Sequence, residues 1–486
     1  MPAIIVVNHP RDWDFNLPSI PVVSARDYLT KEEYSDNTDL KVYNLCKSYK
    51  YQSLGYYVSL LATARNHKPV PDISTIQEMR TVAVVKIFTE ELDDLIQKTL
   101  AKLSDNRFEL SIYFGHNVEK RYDKLSASLY RLFQAPLLRA YFVKQKKWSV
   151  QKIIPITTGE IPEDHKPYVE DFARNYFTSK NESGKRRKKY RFDMAILVNP
   201  EEKEPPSGKA ALQKFEQAAE DCGFHVDFIT KEDYRFLSEY DALFIRETTN
   251  VNHHTYRFAQ RAQAQGIVVI DDPVSILRCS NKVFLAELLR KENIPAPETK
   301  ILHKENYAGL ADQLRYPIVL KQPDSQFSQG VLKAANAAEY LEKTSTLLEK
   351  SDLIISQEFL STDFDWRIGI FNGVPLFACK YFMASGHWQI MNWEKSDEKS
   401  RYGDSETFAL EDVPKGIIKM ALKSTRKFGK GLYGVDLKQA GNSYYLIEVN
   451  DNPNIDKGIE DKVAGDKLYQ TIIQEILTRV EKEKSK

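Results

Sequence analysis

The chain has 486 residues, 42% of them hydrophobic, and 69 lysines and arginines nearly balance 68 aspartates and glutamates. That length suggests roughly three domains with ordinary globular cores, and a formal net charge of +1 excludes a polyelectrolyte built for nucleic acid or membrane surfaces. Cys46, Cys222, Cys279 and Cys379 are far apart and form no CxxC, which excludes a zinc ribbon or disulfide scaffold and fits reduced thiols in a cytoplasmic protein.

The first region, 1–178, mixes strands and helices. Met-Pro-Ala-Ile-Ile-Val-Val-Asn has no basic region and reads as a first strand, not a signal peptide. No apolar run approaches the roughly 20 residues that span a bilayer. Ala3–Asn8 and Asp39–Tyr43 read as strands. Ser53–Asn66 reads as an amphipathic helix with Leu54, Tyr57, Val58 and Leu61 on one stripe. Glu109–Phe114 is a strand, Lys124–Gln134 a helix, and Leu137–Val143 with Ser149–Ile156 a hairpin. A helix from Pro162 to Phe177 ends the region.

Residues 179–191 are polar and basic and read as a solvated linker. Residues 192–279 then alternate strand and helix: Asp193–Val198, Lys209–Asp221, His225–Thr230, Ala242–Arg246, Thr255–Gln265 and Ile267–Asp271. Such alternation predicts a small, mostly parallel α/β unit. It contains no GxGxxG, so dinucleotide binding has no support. Arg246-Glu-Thr-Thr-Asn250 and His253-His254 follow a strand's carboxyl end, where α/β sheets place ligands, and are candidates for carboxylate contact. Adjacent histidines are expected to point apart, which argues against a metal pair. No internal repeat and no low-complexity segment is visible.

Residues 280–486 carry the chemistry. Arg315–Lys321 is a short buried strand that ends in a lysine, and the polar loop after it offers Ser325, Ser328 and Gly330 to phosphates. Leu353–Leu360 is an apolar strand running into a hinge that can present backbone groups to an adenine edge. Asp365-Trp-Arg367 and Cys379-Lys-Tyr381 lie on successive strands joined through Asn372-Gly373. Glu448 and Asn450 are two apart on a strand, so both face one way. With a three-residue loop at Gly441-Asn442-Ser443, Asp436 lies opposite Glu448. Two carboxylates and an amide carbonyl then converge, an all-oxygen set suited to Mg²⁺ held partly by phosphates.

In this order, Ser280-Asn-Lys282, Asn293-Ile-Pro-Ala-Pro-Glu-Thr299, the Lys321 strand, Gln357-Glu-Phe-Leu360, Asp365-Trp-Arg367, Gly434-Val-Asp436 and Glu448-Val-Asn450 resemble the ATP-grasp superfamily. The closer match is the subgroup resembling RimK, the ribosomal-protein glutamate ligase. The resemblance implies an α/β fold, α+β in part. An N-terminal domain (1–178) precedes a pre-ATP-grasp domain (192–279) and an ATP-grasp domain (280–486). The last divides into an ATP-binding lobe (280–360) and a metal and catalytic lobe (361–486). By the same resemblance Lys282 and Lys321 contact ATP phosphates, and Gln357, Glu358, Phe359 and Leu360 form the adenine hinge. Ile447 packs on the base and Asp365, or alternatively Asp363, meets the ribose. Asp436, Glu448 and Asn450 bind two Mg²⁺, with Mn²⁺ an alternative. Arg367, Lys380 and Asn452 face the reacting groups. The implied activity is ATP-dependent joining of a carboxylate to an amine through an acylphosphate, on an amino acid or peptide, in a protein that is often a homo-oligomer. The alternatives are a ligase that modifies a protein terminus and a non-catalytic ATP-binding regulator. After Asn450 the RimK-like pattern has a small residue, Pro and Gly, where this chain has Asp-Asn-Pro-Asn-Ile-Asp456 with Asn454 in the glycine's place, and Asp451 and Asp456 add negative charge that favours a cationic amine.

Overall fold

Short β-branched runs dominate the start of the chain, and they build a sheet. β1 (Ala3–Val7), β2 (Val22–Ser24), β3 (Lys41–Asn44) and β4 (Lys68–Val70) pair in parallel in the order β2-β1-β3-β4. This computed structural model describes the chain except residues 1, 18–19, 36–39, 90–91, 188–189, 325–329, 393–400 and 486. A parallel sheet is covered on both faces: Ile5, Val7 and Tyr43 enter one core, and Ile4, Val6 and Val42 enter another. The helices of this part are α1 (Ala25–Thr30), α2 (Leu54–Ala64), α3 (Ile73–Arg80), α4 (Val82–Thr89) and α5 (Asp93–Leu100). Ser53 accepts from the Tyr56 N–H and so caps α2.

An antiparallel sheet follows, of β5 (Arg107–Tyr113), β6 (Leu137–Lys144) and β7 (Trp148–Pro155), with α6 (Asp123–Leu132) between β5 and β6. One face of it is buried by Leu110, Ile112, Leu138, Ala140, Phe142 and Ile153. The helix expected to stop at Phe177 runs on as α7 (Lys166–Arg187), through the basic stretch expected as a linker. That stretch contains no proline, so nothing in it forces the helix to end.

The chain divides into two compact units, and the second comprises Tyr190–Lys231 and Tyr240–Lys486. It opens with β8 (Phe192–Leu197), α8 (Lys209–Asp221), β9 (Phe224–Ile229), β10 (Ala242–Ile245), α9 (His254–Ala264), β11 (Val268–Ile270), α10 (Pro273–Cys279) and α11 (Lys282–Lys291). The strands form an all-parallel sheet in the order β11-β10-β8-β9.

An antiparallel sheet comes next, of β12 (Thr299–Leu302), β13 (Ile318–Lys321), β14 (Val331–Ala334) and β15 (Ile354–Glu358), with α12 (Tyr307–Leu310) and α13 (Ala337–Leu348) packed on its apolar face. A second antiparallel sheet follows: β16 (Phe364–Phe371), β17 (Val374–Phe382), β18 (Ser405–Phe408), β19 (Leu432–Ala440) and β20 (Ser443–Asp451), in the order β18-β17-β16-β19-β20. α14 (Lys415–Thr425) covers one face of it. α15 (Asp466–Lys484) closes the chain, and Leu468, Ile472 and Ile476 share one core with Ile196 and Phe244 of the small parallel sheet and with Phe371 and Leu432.

Candidate active site

The β19–β20 hairpin brings Asp436 opposite Glu448 and Gly434 opposite Asn450. The route differs from the expected three-residue loop. The turn holds only Gly441 and Asn442, since Ala440 pairs with Ser443, and the odd residue is taken up by a bulge at Ile447. Asp436, Glu448 and Asn450 therefore share a face. Asp436 also lies opposite Arg367 on β16, whose Nε and Nη2 donate to its two carboxylate oxygens at 2.7 and 2.8 Å. The Asn450 Nδ2 donates to Asp436 Oδ2 at 3.1 Å, so ligation by Asn450 falls to Oδ1.

Two lysines reach this cluster. Lys282 opens α11, capped by Asn281, and its Nζ lies 2.6 Å from Glu448 Oε1. Lys321 ends β13 and donates to Gln357 Oε1 at 2.7 Å; Gln357 in turn donates to Thr299 Oγ1. Burial by itself raises Glu448, but the Lys282 and Lys321 ammoniums outweigh it and hold the carboxyl below its ordinary value. Burial pushes Lys321 down to about 8, against the pull of Glu448. Burial also works against the Arg367 guanidinium, and Asp436 more than offsets it, so Arg367 stays cationic. The donor set is all oxygen and lies next to two ammoniums, which fits a hard divalent cation carried with phosphates. Among the described residues, its negative charge is answered by Arg367, Lys282 and Lys321.

The other expected residues fall as follows. Asp365 is on the same face, bonded to Lys438 Nζ at 2.6 Å and to Thr362, and burial raises its carboxyl. Gly330 has φ +74 and accepts from the Gln322 N–H, closing the base of the loop; Ser325 and Ser328 lie outside the described residues. Glu358 donates its N–H to Glu298, and Leu360 is half-buried beside it. The Phe359 ring meets Trp388 edge-on at 5.8 Å under Lys333. Trp388 was not expected from the sequence. Its only signal was an aromatic pair, His387-Trp388, in a polar segment.

Lys380 is a correction. A hairpin without irregularity sets it opposite Asp365, on the Arg367 face. The structure skips Leu376, since Ile370 pairs with Pro375 and Gly369 with Phe377, so Lys380 pairs with Trp366 instead. The side chain projects to the opposite face, 4.3 to 4.9 Å from the Phe364, Trp366 and Phe408 rings. The Phe377 ring lies directly over Gly369 and leaves no room for a Cβ there.

Asn452 is a second correction. Its Oδ1 accepts from Arg246 Nη1 at 2.6 Å, its Nδ2 donates to the Glu247 carbonyl, and its N–H donates to Asp271. It is structural cement, held at φ +46. Arg246 is likewise no substrate contact. It is fully buried and also donates to Ser207 and to the carbonyls of Pro206 and Pro453. Asp271 accepts from the Leu432 and Asn452 N–H groups, and burial, reinforced by Asp451, raises it to about 8. Asp456 accepts from Gly208. His253 and His254 do not point apart. Their ring centroids are 3.9 Å apart, and His254 Nε2 lies 2.8 Å from Glu247. Among the described residues these three bring ligand atoms within 4.8 Å of one another.

The RimK-like ATP-grasp domain matches residues 279–476, and the RimK-like ATP-grasp N-terminal domain matches residues 25–172. The alpha-aminoadipate–LysW ligase LysX of Saccharolobus solfataricus is 32% identical over 236 residues, covering 47% of this chain and 81% of that protein. Tetrahydromethanopterin:alpha-L-glutamate ligase of Methanocaldococcus jannaschii is 27% identical over 265 residues, covering 52% of this chain and 86% of that protein. A solved structure, D-alanine–D-alanine ligase from Bacillus anthracis complexed with ATP, aligns with TM-score 0.45 at 18% identity, over 60% of this chain and 100% of that one. No described helix is long and apolar enough to cross a membrane. The match over both segments, with the Lys282, Lys321, Arg367, Asp436 and Glu448 positions assembled on one sheet face and its flank, has one reading: this chain belongs to the RimK-like ATP-grasp family and is an ATP-dependent carboxylate–amine ligase.

Proposed function

We propose that the chain phosphorylates a substrate carboxylate with ATP and then joins the acylphosphate to the amine of an amino acid or short peptide. The observation that carries this is the single face on which Arg367, Asp436, Glu448 and Asn450 meet, flanked by the Lys282 and Lys321 ammoniums. The two relatives are named for joining an α-amino acid to a second molecule, which supports an amino acid as one partner.

A carboxylate is a poor electrophile, and phosphoryl transfer relies on positioning and charge neutralisation. Lys282 and Lys321 receive the phosphates. Asp436, Glu448 and Asn450 are the residues that hold Mg²⁺, as two ions, with Mn²⁺ able to substitute. Bound there, the metal neutralises phosphate charge. Arg367 keeps its proton throughout and stabilises negative charge as it develops on the reacting carbonyl. Residues 280–360 serve as the nucleotide lobe and 361–486 as the metal and catalytic lobe.

The test is ADP release with Mg²⁺ across a panel of amino acids and short peptides, with Glu448→Ala as control. Release that needs both a carboxylate and an amine, and disappears in the variant, is the expected result. Release that survives in Glu448→Ala overturns the residue assignment. Tight nucleotide binding with no release for any small pair moves the acceptor to a protein.

A further inference from the structure

The two parallel sheets of this chain have the same strand order, and the likeness does not stop there. β3 pairs with β4 as Tyr43 to Val70, and β10 pairs with β11 as Phe244 to Ile270. Ile5 faces Tyr43 and Ile196 faces Phe244. α2 and α9 are each 11 residues long. They end in left-handed residues, Asn66 and Gly266. Asp72 then caps α3 through the Thr75 N–H, and Asp272 caps α10 through Val274 and Ser275.

The antiparallel sheets repeat the pattern. β5 runs into the left-handed pair Phe114-Gly115, and β16 into Asn372-Gly373. Phe114 N–H donates to Pro136, and Asn372 N–H donates to Gly431. Tyr113 faces Leu137 as Phe371 faces Leu432, and Phe108 faces Phe142 as Trp366 faces Leu437. Both following hairpins carry one bulge at the same place, between Tyr141 and Phe142 in one and between Asp436 and Leu437 in the other. In each unit a long helix then packs on the first sheet, α7 through Val169, Ala173 and Phe177, α15 through Leu468, Ile472 and Ile476. Coincidence of one strand order is common. Coincidence of register, bulge, turn and caps in sequence is not.

We infer that the N-terminal unit is a second copy of the ligase's own frame, one that holds neither nucleotide nor metal. Three differences define it, the first being that the sheet β5-β6-β7 has no counterpart of β17 and β18. α5 ends at Leu100 and β5 begins at Arg107, so the sheet that supplies Lys321 and the hinge, β12 to β15, has no counterpart. And the register places a different chemistry at each site position. Glu109 faces Tyr141 where Arg367 faces Asp436, Lys152 faces Tyr141 where Glu448 faces Asp436, and Ile154 stands for Asn450. Val82 opens α4 where Lys282 opens α11. The Lys152 Nζ lies 4.2 Å from the Tyr141 ring centroid, so a cation on an aromatic face occupies the place of two metal-binding carboxylates. No repeat is visible in the sequence, and the reason is physical. From α2 to α3 the units share only scattered residues such as Tyr56 and Tyr256, Ala62 and Ala262, Asp72 and Asp272, and Ile76 and Ile276. Core shape constrains size and polarity, not identity.

The test has two arms, both on the full chain. In the first, which rests on the proposed function, a non-hydrolysable ATP analogue with Mg²⁺ is titrated calorimetrically. One site per chain is expected, unchanged in Lys152→Ala and lost in Glu448→Ala. Two sites, or loss in Lys152→Ala, overturn the inference; a chain that binds no nucleotide overturns the proposed function instead. The second arm needs no nucleotide. Tyr141→Asp with Lys152→Glu, placed in an Asp436→Ala, Glu448→Ala background, is expected to gain one Mn²⁺ site by electron paramagnetic resonance, with a dissociation constant on the order of millimolar. No gain in a variant whose circular dichroism is unchanged overturns the correspondence of positions.

Discussion

Arg367 and Asp436 face each other on β16 and β19, and the guanidinium grips both carboxylate oxygens, at 2.7 and 2.8 Å. The pair is mostly buried, so the proposed catalytic cation and the proposed metal-binding carboxylate also depend on each other for stability. Arg367→Lys keeps the charge but loses the fork, and ADP release is expected to fall roughly 100-fold. Arg367→Ala leaves Asp436 without its paired cation, with only the Asn450 amide still donating to it, and is expected to cost about 3 kcal/mol in urea unfolding. Adding Asp436→Ala to that variant is expected to restore part of the stability and none of the activity.

Lys380 offers the contrast. Its ammonium lies against the Phe364, Trp366 and Phe408 rings, on the face away from Asp436. Lys380→Met is expected to leave ADP release unchanged and to alter stability by less than about 1 kcal/mol. A loss of roughly tenfold, about 1.4 kcal/mol in the barrier, would return Lys380 to the reaction.

Arg246 holds the small parallel sheet to the segment after β20, through Asn452 and the Pro453 carbonyl. Arg246→Ala strips buried acceptors of their donor and is expected to cost about 4 kcal/mol or more, seen as a lower thermal midpoint. Arg246→Lys, which retains a charge but not the fork, is expected to fall between.

Asp271 makes stability depend on pH. Its carboxyl is raised to about 8 in the fold by burial and Asp451, and lies near about 3.9 unfolded. Between those values the folded chain binds more protons than the unfolded one, so this group's contribution falls as pH rises, by at most about 1.4 kcal/mol per pH unit. Outside that window it adds no slope. Comparing urea midpoints of wild type and Asp271→Asn at pH 5 and pH 8 is expected to show the wild type losing stability relative to the variant.

If Lys321 receives the phosphates as proposed, nucleotide binding depends on pH. Burial lowers it to about 8, and arriving phosphates favour its charged form. Binding above pH 8 is therefore expected to take up a proton, and calorimetry in buffers of different ionisation enthalpy measures it. Lys321→Met is expected to abolish the uptake along with most of the affinity.

Much of the candidate site's geometry was legible in the chain. The alternation of strands places Glu448 and Asn450 on one face whatever surrounds them, and the small sheet followed its repeated strand–helix pattern closely. The failures share a cause. Whether Arg367 and Lys380 lie together depends on one skipped residue, Leu376, and a bulge reverses every side chain beyond it. Leu376 carries no local mark of this, because the bulge accommodates the Phe377 ring over Gly369, a contact between strands. Ile447 shows the same rule with the opposite result, since its bulge compensates a shorter turn and leaves Asp436 opposite Glu448 as expected. Arg246 looked like a ligand contact because it follows a strand's carboxyl end, and Asn452 because the family resemblance puts it at the reacting groups. Their partners, each from a distant part of the chain, decided otherwise.

By itself the sequence determined the periodic elements, the oxygen-donor chemistry and the ordered motifs, because these depend on neighbours a few residues away. Tertiary structure alone decided which face each cation takes, which polar groups are spent on holding the fold, and that the N-terminal unit repeats the frame without its chemistry. Those outcomes rest on register and burial, which arise only when distant strands pair.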